Sequence, residues 1–508
     1  MADEPFETGA ADVIPLPGRL TTEPKPLSAH LVGVCGSGMR GLAELMHGLG
    51  WNLSGSDLNP PPESIQSLMR RGFAFHQGHA AEHVPPNVDV LIFSPAIPAS
   101  NSERMIAGQR GQPELSYTQM LGALMHGRRG VCIAGTHGKS TTTAMTATIL
   151  TDAGLSPSAI FGAERCDTGC SAWGGDGDLF VVESCEFQRS FLEFTPQYAA
   201  ILSVEPDHFD CFNTHADMIA AFGEFASQVR PDGLLLTRAE DAAARVAAGK
   251  CPAPVITFGW TMEADWWAGD IRRTGSGTRF RAFRRGQFVT EITLPLKGKH
   301  NVLNALAAAA MCFEIGVSPA MIRHSLAEFP GIRRRFEELG SWRGVTLMDD
   351  YAHHPTAVAA TLEAAREKFG RRRLCVAFQP HQISRTTALM EEFSQCFHAA
   401  DCVWITPVFA ARECVTDEPQ TVAEELVQRL CQQHVSAEFS PSLDQLVTVL
   451  EDKLRPGDVF LTMGAGDIDQ VHHAFTRRFS RDSAPQREFG TLHLAQGGRP
   501  RTVLPHSA

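Results

Sequence analysis

Residues Gly135, Thr136, His137, Gly138, Lys139, Ser140 and Thr141 carry the sharpest chemical signal in the chain. Glycines let successive backbone N–H groups close on phosphate oxygens, and a helix starting near Ser140 would add the partial positive charge of its N-terminus. Lys139 would neutralise β- and γ-phosphates, and the Ser140 or Thr141 hydroxyl would hold Mg²⁺. The strict phosphate-loop pattern asks for glycine at 133, where this chain has Ile133, so the loop is a shortened variant. Partners for the metal should stand at neighbouring strand ends, where Glu183 and the pair Asp207 and His208 occur. A second glycine pattern, Gly36, Ser37, Gly38, Met39, Arg40 and Gly41, has Asp57 beyond it. That arrangement suits a pyrophosphate at a helix start and a ribose hydroxyl on the acid. It does not say which pyrophosphate-bearing ligand. A dehydrogenase would leave the Lys139 loop idle, a simple ATPase would leave the Gly36 loop idle, and a non-catalytic sensor would need neither turnover nor metal.

These groups need a scaffold that presents loops on one side. Apolar runs at 31–34, 90–93, 131–134, 179–182, 200–204, 345–348, 374–378, 403–406 and 459–463 read as buried strands. They alternate with helical patterns, the signature of parallel βα units and an α/β class. Nearly every run is followed by a polar or glycine-rich cluster: Ser94, Gly135, Glu183, Glu205 to His208, Asp349 with Asp350, Gln379, and Gly464. Open parallel sheets bind ligands beyond the carboxyl ends of their strands, so this placement favours an enzyme over a scaffold. Residues 279–295 alternate around Arg285 and Gly286 as a hairpin, and 299–316 is an alanine-rich helix. Breaks near 127–130 and at Phe329, Pro330 and Gly331 divide the chain into 28–127, 128–331 and 332–475. Residues 1–27 and 476–508 read as flexible, the latter with six arginines against one Asp and one Glu.

At about 150 residues per domain, 508 residues predict roughly three domains. A hydrophobic fraction of 43% against 20% charged is enough for each to bury a core. The 45 basic and 57 acidic side chains leave −12, which argues against gripping nucleic acid or an anionic membrane. No run approaches the length of a membrane span, and the start of the chain lacks the pattern of a secretory signal. The thirteen cysteines lie mostly in apolar runs and read as reduced thiols of a cytoplasmic protein. Cys166, Cys170 and Cys185 lack the second pair that a zinc site needs. Nothing in the sequence specifies an oligomeric state.

Taken together, these motifs resemble the Mur ligase family, the ATP-dependent amide-forming enzymes of peptidoglycan precursor synthesis. The similarity runs in order over about 29–470. It takes in both glycine loops, Asp207 and His208, His300 to Ala305, Arg334 to Glu337, Asp349 to Thr356, Phe378 to His381 with Ser384 to Thr386, and Gly464 to Ile468. The resemblance implies a Rossmann-like UDP-binding unit, a central P-loop-like ATPase with a parallel sheet, and a dinucleotide-fold-like C-terminal unit that meets the amino acid. The Gly36 loop would hold UDP and the Gly135 loop ATP, which accounts for two nucleotide sites on one chain. By the same resemblance Ser56, Asp57, His79 and Ser94 would line the UDP-sugar site. Glu183 and His208 would bind Mg²⁺ with Ser140. His300 and Asn304 would meet the nucleotide, and Arg335 would reach phosphate from the boundary. Asp350, Tyr351, His353, His381 and Arg385 would face substrates, Asp350 on the ATP side and Tyr351 and Arg385 on the UDP-sugar side.

The implied reaction joins L-alanine to the carboxylate of UDP-N-acetylmuramate through an acyl phosphate, with Lys139 and Arg335 as catalytic cations and His353 or His381 as the base. A related ligase adding a tripeptide to the same sugar is the alternative, and the His381 and Arg385 pattern favours the alanine-adding branch. Two departures stand out. Where the family commonly reads Glu-Ala-Asp-Glu-Ser-Asp, only Glu183 and Glu186 carry over. Gln382 replaces an arginine expected beside the substrate, leaving one fewer cation there.

Overall fold

The computed structural model describes residues 26–275, 277–413 and 418–479. They form three sheets in chain order. The first has five parallel strands in the order Ala74–Gln77, Asn52–Asp57, Ser28–Val32, Val90–Phe93, Glu114–Ser116. The winding reverses beside Ser28–Val32, so the turn that leaves this strand opens at the switch point where such sheets bind ligands. That turn carries Gly36 and runs into helix Ser37–Gly48.

The second sheet has ten strands. Arg129–Ala134 lies between Tyr198–Ile201 and Leu179–Ser184, all parallel. The loop after the middle strand is therefore flanked by residues 202–208 on one side and Glu183 on the other. Helix Lys139–Asp152 is buried on all faces between sheet and helices, and three of its threonines satisfy their hydroxyls within the helix, whereas those of Thr142 and Thr146 are buried without a partner among the described residues. Thr143, Thr148 and Thr151 each donate to the carbonyl four residues back at 2.8 Å. Helix Lys299–Ile315 packs on it, its alanine face allowing close approach. The expected hairpin is Thr278–Arg284 with Gln287–Leu294, and its two turn residues both take positive φ, 48° at Arg285 and 78° at Gly286.

The third sheet runs Glu337–Trp342, Val345–Asp350, Val459–Met463, Leu374–Phe378, Cys402–Ile405, Ala437–Phe439, parallel except for its first pair. Asp350, Gln379 and Gly464 follow or end its central strands, on one side of the sheet.

Several strands lie outside the apolar runs. Asn52–Asp57 is one, because its core side chains are polar: Ser54 meets His30 at 2.9 Å and Ser56 donates to buried Glu103 at 2.5 Å. The last helix, Gln470–Phe479, extends into the segment expected to be a flexible tail. Residues 1–25 and 480–508 lie outside the described residues. The twelve described cysteines are all unpaired.

The first two units share one continuous apolar core, from Leu31 and Met46 through Phe180 to Phe225. Their seam is closed by glycines: a Cβ on Gly48 would sit 2.7 Å from the Gly174 nitrogen, and one on Gly174 would sit 2.6 Å from the Gly48 carbonyl carbon. The last unit has cores of its own. Gly48→Ala should therefore cost about 1–3 kcal/mol by overpacking, read as a lower urea midpoint. Gly108→Ala, in a helix with open space around the added methyl, should be neutral or stabilising in the same titration.

Candidate active site

A cavity of about 590 Å³ opens where the central and last units meet. Its floor is the loop after Arg129–Ala134. Gly138 caps the following helix with φ 80°, and a Cβ there would collide with the Asn304 side chain, so glycine is required for Asn304 to seat against the loop. Lys139 Nζ donates to the Gly135 carbonyl at 2.5 Å and to both Glu186 oxygens at 2.9 and 3.0 Å. Burial alone would raise the Glu186 carboxyl; the Lys139 ammonium and His208 outweigh it and hold Glu186 at about 2. Ser140 Oγ donates to Glu183 Oε1 at 3.0 Å, and Gly162 N donates to its other oxygen at 2.5 Å.

His208, with φ 52°, sits with Nε2 at 3.4 Å from Glu186, while its Nδ1 is buried without a partner among the described residues. Cys185 stands beside them, but burial pushes its thiol up to about 12, so it stays protonated. Ser140 and Glu183 offer hard oxygen donors on one flank and His208 an orphaned nitrogen on the other, donor types that suit a divalent cation, while the ligand atoms here that lie within reach of a single ion are those of His208, Glu186 and Cys185. His300 lines the same wall, lowered to about 4 by burial and by the nearby Arg335 charge.

Arg335 reaches the cavity from the chain that joins the units. Its neighbours Arg334 and Phe336 have φ of 57° and 54°, a backbone held by tight contacts on both sides. Arg334 donates to Asp349 at 3.1 Å and to the Gly464 carbonyl at 2.8 Å, and Phe336 N donates to Asp350 at 2.6 Å. Asp350 also accepts from Ala352 N and Thr361, so it braces this linker, and burial raises its carboxyl against the opposing pull of Arg335. Arg335 itself lies over the Tyr351 ring, 4.9 Å from its centroid.

The last unit closes the cavity with imidazoles. His353 Nδ1 donates to the Tyr351 carbonyl at 2.8 Å, which leaves a lone pair on Nε2. His381 Nδ1 instead accepts from Arg385 at 3.1 Å, which puts its proton on Nε2. Burial and Arg385 lower both, His381 to about 4, so both are neutral at pH 7. Arg385, 2% exposed, donates to Asp207 of the central unit at 2.6 Å. Asp349, Asp350, His353 and His354 do not form a metal cluster. His354 faces Glu205 and the Pro206 carbonyl while Asp349 faces Arg334.

Two features of this seam were not singled out as site residues from sequence. Glu205 accepts from Thr356 at 2.6 Å and lies 3.3 Å from His137, tying the loop to the last unit. Its position in the polar cluster after a strand was the available signal. Arg412, from a loop of the last unit, also lines the cavity, and no local pattern marks it.

The residues expected around UDP divide. Tyr351 and Arg385 line the large cavity, whereas Gly36, Ser37, Gly38, Met39, Ser56, Asp57, His79 and Ser94 do not. Gly36, Ser37 and Gly38 are exposed at the helix start with no side-chain cap, leaving N–H groups open to an anion. Asp57 accepts from Cys35 N at 2.9 Å and shapes this turn. Met39 is 3% exposed and belongs to the core rather than to a ligand surface. Ser56 is fully buried, its hydroxyl committed to Glu103 and close to His79, and its carbonyl accepts from Gly33 and Val34 N–H. It supports the loop from beneath, because the strand places it on the inner face. Ser94 accepts from Ala96 N in its own turn. Arg40, in the helix that follows this loop, ties the first unit to the central one by pairing with Glu164 at 2.7 Å, and within the first unit a Cβ at Gly38 would touch the Tyr117 ring at 3.3 Å.

Three α/β units around a Gly-Lys phosphate loop, with cations and neutral imidazoles converging from the last unit, define a nucleotide-dependent group-transfer enzyme. Three family models match in order: "Mur ligase family, catalytic domain" at 28–129, "Mur ligase middle domain" at 133–312, and "Mur ligase, glutamate ligase domain" at 334–466. The UDP-N-acetylmuramate–L-alanine ligase of Desulfitobacterium hafniense is 40% identical over 448 residues, 88% of this chain and 98% of the relative. The solved UDP-N-acetylmuramate-alanine ligase of Thermotoga maritima is similar with a TM-score of 0.74 and 26% identity, over 90% of this chain and 100% of that one. A murein peptide ligase from Psychrobacter arcticus shares the fold, at a TM-score of 0.66 and 24% identity over 90% and 100%. The chain belongs to the Mur ligase family and is an ATP-dependent amide-bond-forming ligase.

Charge burial at this seam sets the response to mutation and acid. Asp207→Asn leaves the Arg385 charge buried and unpaired, at a cost of about 3–5 kcal/mol, read as a lower guanidinium midpoint. Glu103, Glu186 and Glu205 are each held at about 2 from 4.5, because hydrogen-bonding and cationic partners outweigh burial. Depressed carboxyls stabilise the fold above 4.5, and that contribution is lost as pH falls toward 2. Urea midpoints should therefore decline across this window, and Glu186→Gln should flatten the decline.

Proposed function

We propose that the protein joins L-alanine to the lactyl carboxylate of UDP-N-acetylmuramate, in the cytoplasm, with ATP as the driving substrate. The observation that carries this reading is the meeting of the Lys139 loop with Tyr351, His353, His381 and Arg385 in one cavity. Relatives of nearly the same length that bear this activity's name support it. In this reading 28–127 holds the UDP-sugar, 128–331 holds ATP, and 332–475 brings the amino acid.

The carboxylate attacks the γ-phosphorus, ADP leaves, and an acyl phosphate forms. The alanine amine then attacks the acyl carbon, and phosphate departs from the tetrahedral intermediate. The first step drives an anion onto a polyanion, so the protein's contribution is charge neutralisation and alignment. Lys139 and Arg335 supply positive charge from opposite sides of the seam, and the N–H groups of Lys139, Ser140 and Thr141 in the first turn of the helix cradle the phosphates, those of Thr136 and His137 being bonded to Ser203. Ser140, Glu183 and His208 would hold Mg²⁺, which supplies further neutralisation of phosphate charge when bound. The amine must lose a proton to attack. His353 is the base in this reading, because its Nε2 lone pair is free while His381 presents Nε2–H as a donor. Enclosure of the cavity by the last unit would keep water from the acyl phosphate.

With ATP, Mg²⁺ and UDP-N-acetylmuramate present, phosphate release should depend on L-alanine and yield the alanyl product by mass. Release with the tripeptide alone would overturn the assignment. Lys139→Ala should abolish release while UDP-sugar binding persists in calorimetry. His353→Gln should lower product formation by about 10²–10⁴-fold. Acyl phosphate formation, followed by positional isotope exchange within ATP, should continue in that variant, and its parallel loss would remove the base role.

A further inference from the structure

The family pattern asks for an arginine at position 382, and this chain has Gln382. The residue is buried at 1% exposure with φ 67°, and its Nε2 has no partner among the described residues. A neutral amide in that wall cannot replace the charge of a guanidinium. The cavity nevertheless receives a cation from the next loop. Arg412 lines it beside His381 and Gln382.

The backbone fixes Arg412 next to the vacated charge. Residue 409 pairs with 381 as an isolated bridge: Phe409 N donates to the Pro380 carbonyl at 2.8 Å, and Gln382 N donates to the Phe409 carbonyl at 2.9 Å. Glu413, immediately after Arg412, accepts from Ile383 N at 2.5 Å and from Ser384 N and Oγ at 3.2 and 2.5 Å. Position 412 is thus clamped on both sides to the segment that carries Gln382. The Arg412 side chain crosses to the central unit, where its guanidinium lies 3.7 Å from the Phe187 ring centroid and Nε donates to Asp210 at 2.5 Å. Its two terminal nitrogens make no hydrogen bond among the described residues, which leaves the bidentate edge of the fork free.

We propose that Arg412 supplies the cation that position 382 lacks and binds the α-carboxylate of the incoming amino acid. The phosphate side of the cavity already has Lys139 and Arg335, so a third phosphate cation there is not needed. The amino-acid side has His353 as base and Arg385, whose charge is committed to Asp207. An α-amino acid carries its carboxylate one carbon from its amine, so a carboxylate receptor belongs near the base. His381 stands between them, its ring 5.7 Å from His353 and stacked at 5.7 Å on Phe409, three residues before Arg412. Phe187 and Asp210 orient the guanidinium without occupying its outer edge.

This inference rests on the alanine-ligase reading, and the test separates the two. Phosphate release is measured with L-alanine varied and ATP and UDP-N-acetylmuramate saturating, then with each of those varied in turn. Arg412→Ala should raise KM for L-alanine about 10- to 100-fold, the loss of one charge-assisted pair, with the other two KM values within about twofold. Arg412→Lys, which keeps charge without the fork, should fall between them. Introducing Gln382→Arg into Arg412→Ala should recover part of the alanine KM. An unchanged alanine KM, or an equal rise in all three, overturns the proposal. So does Asp210→Asn matching Arg412→Ala, since that makes the residue a seam clamp. Wild-type protein that releases no phosphate with L-alanine removes the ligase reading together with this one.

Discussion

The ion pair between Asp207 and Arg385 is the contact on which the active site depends. It joins the central unit to the last one across the cavity, with both groups almost wholly buried. A carboxylate and a guanidinium taken out of water are tolerated only when paired and further hydrogen-bonded, so the pair demands that the two units meet in one register. Arg385 also meets His381 through Nδ1 and carbonyl, and that contact sets the imidazole's tautomer. Asp207 in turn accepts from His208 N, which fixes the turn carrying the candidate metal ligand. One pair thereby aligns groups on both sides of the seam.

The other seam is built differently. The first two units share an apolar core sealed by Gly48 against Gly174, contacts that favour permanent packing. The last unit meets the centre through ionic and polar contacts: Asp207 with Arg385, Glu205 with Thr356, Asp210 with Arg412. Polar seams exchange partners with water at modest net cost, so this is the joint that suits opening and closing around substrates. The positive φ at Arg334 and Phe336 lies in that joint, and Arg335 between them lines the cavity.

The overall charge of −12 describes the surface and says little about the cavity. Lys139, Arg335, Arg385 and Arg412 all line it, and three of the four are at least partly committed to carboxylates of the protein: Glu186, Asp207 and Asp210. Such pairing lets Lys139 and Arg385 stay charged away from water, because each already has a counter-charge in the protein.

The order of both glycine loops, the buried strands and the polar residues that follow them was legible in the chain, because these are local patterns with local causes. Apolar runs mark strands buried on both faces, and glycine before lysine at a helix start marks a phosphate cradle. The polar strand Asn52–Asp57 escaped that reading, since its stability comes from Glu103 and His30, distant in sequence. Met39 and Ser56 lie within motifs that suggest ligand contact, yet the helix and strand turn them inward. Which histidine holds a free lone pair depends on a carbonyl from Tyr351 and a guanidinium from Arg385. That Arg412 stands beside Gln382 depends on a loop clamped by Phe409 and Glu413. The sequence by itself determined which chemical groups exist and which strand ends present them. Only the tertiary structure decided how they are charged and what each one faces, because protonation and pairing are set by burial and by neighbours that the chain brings from far away.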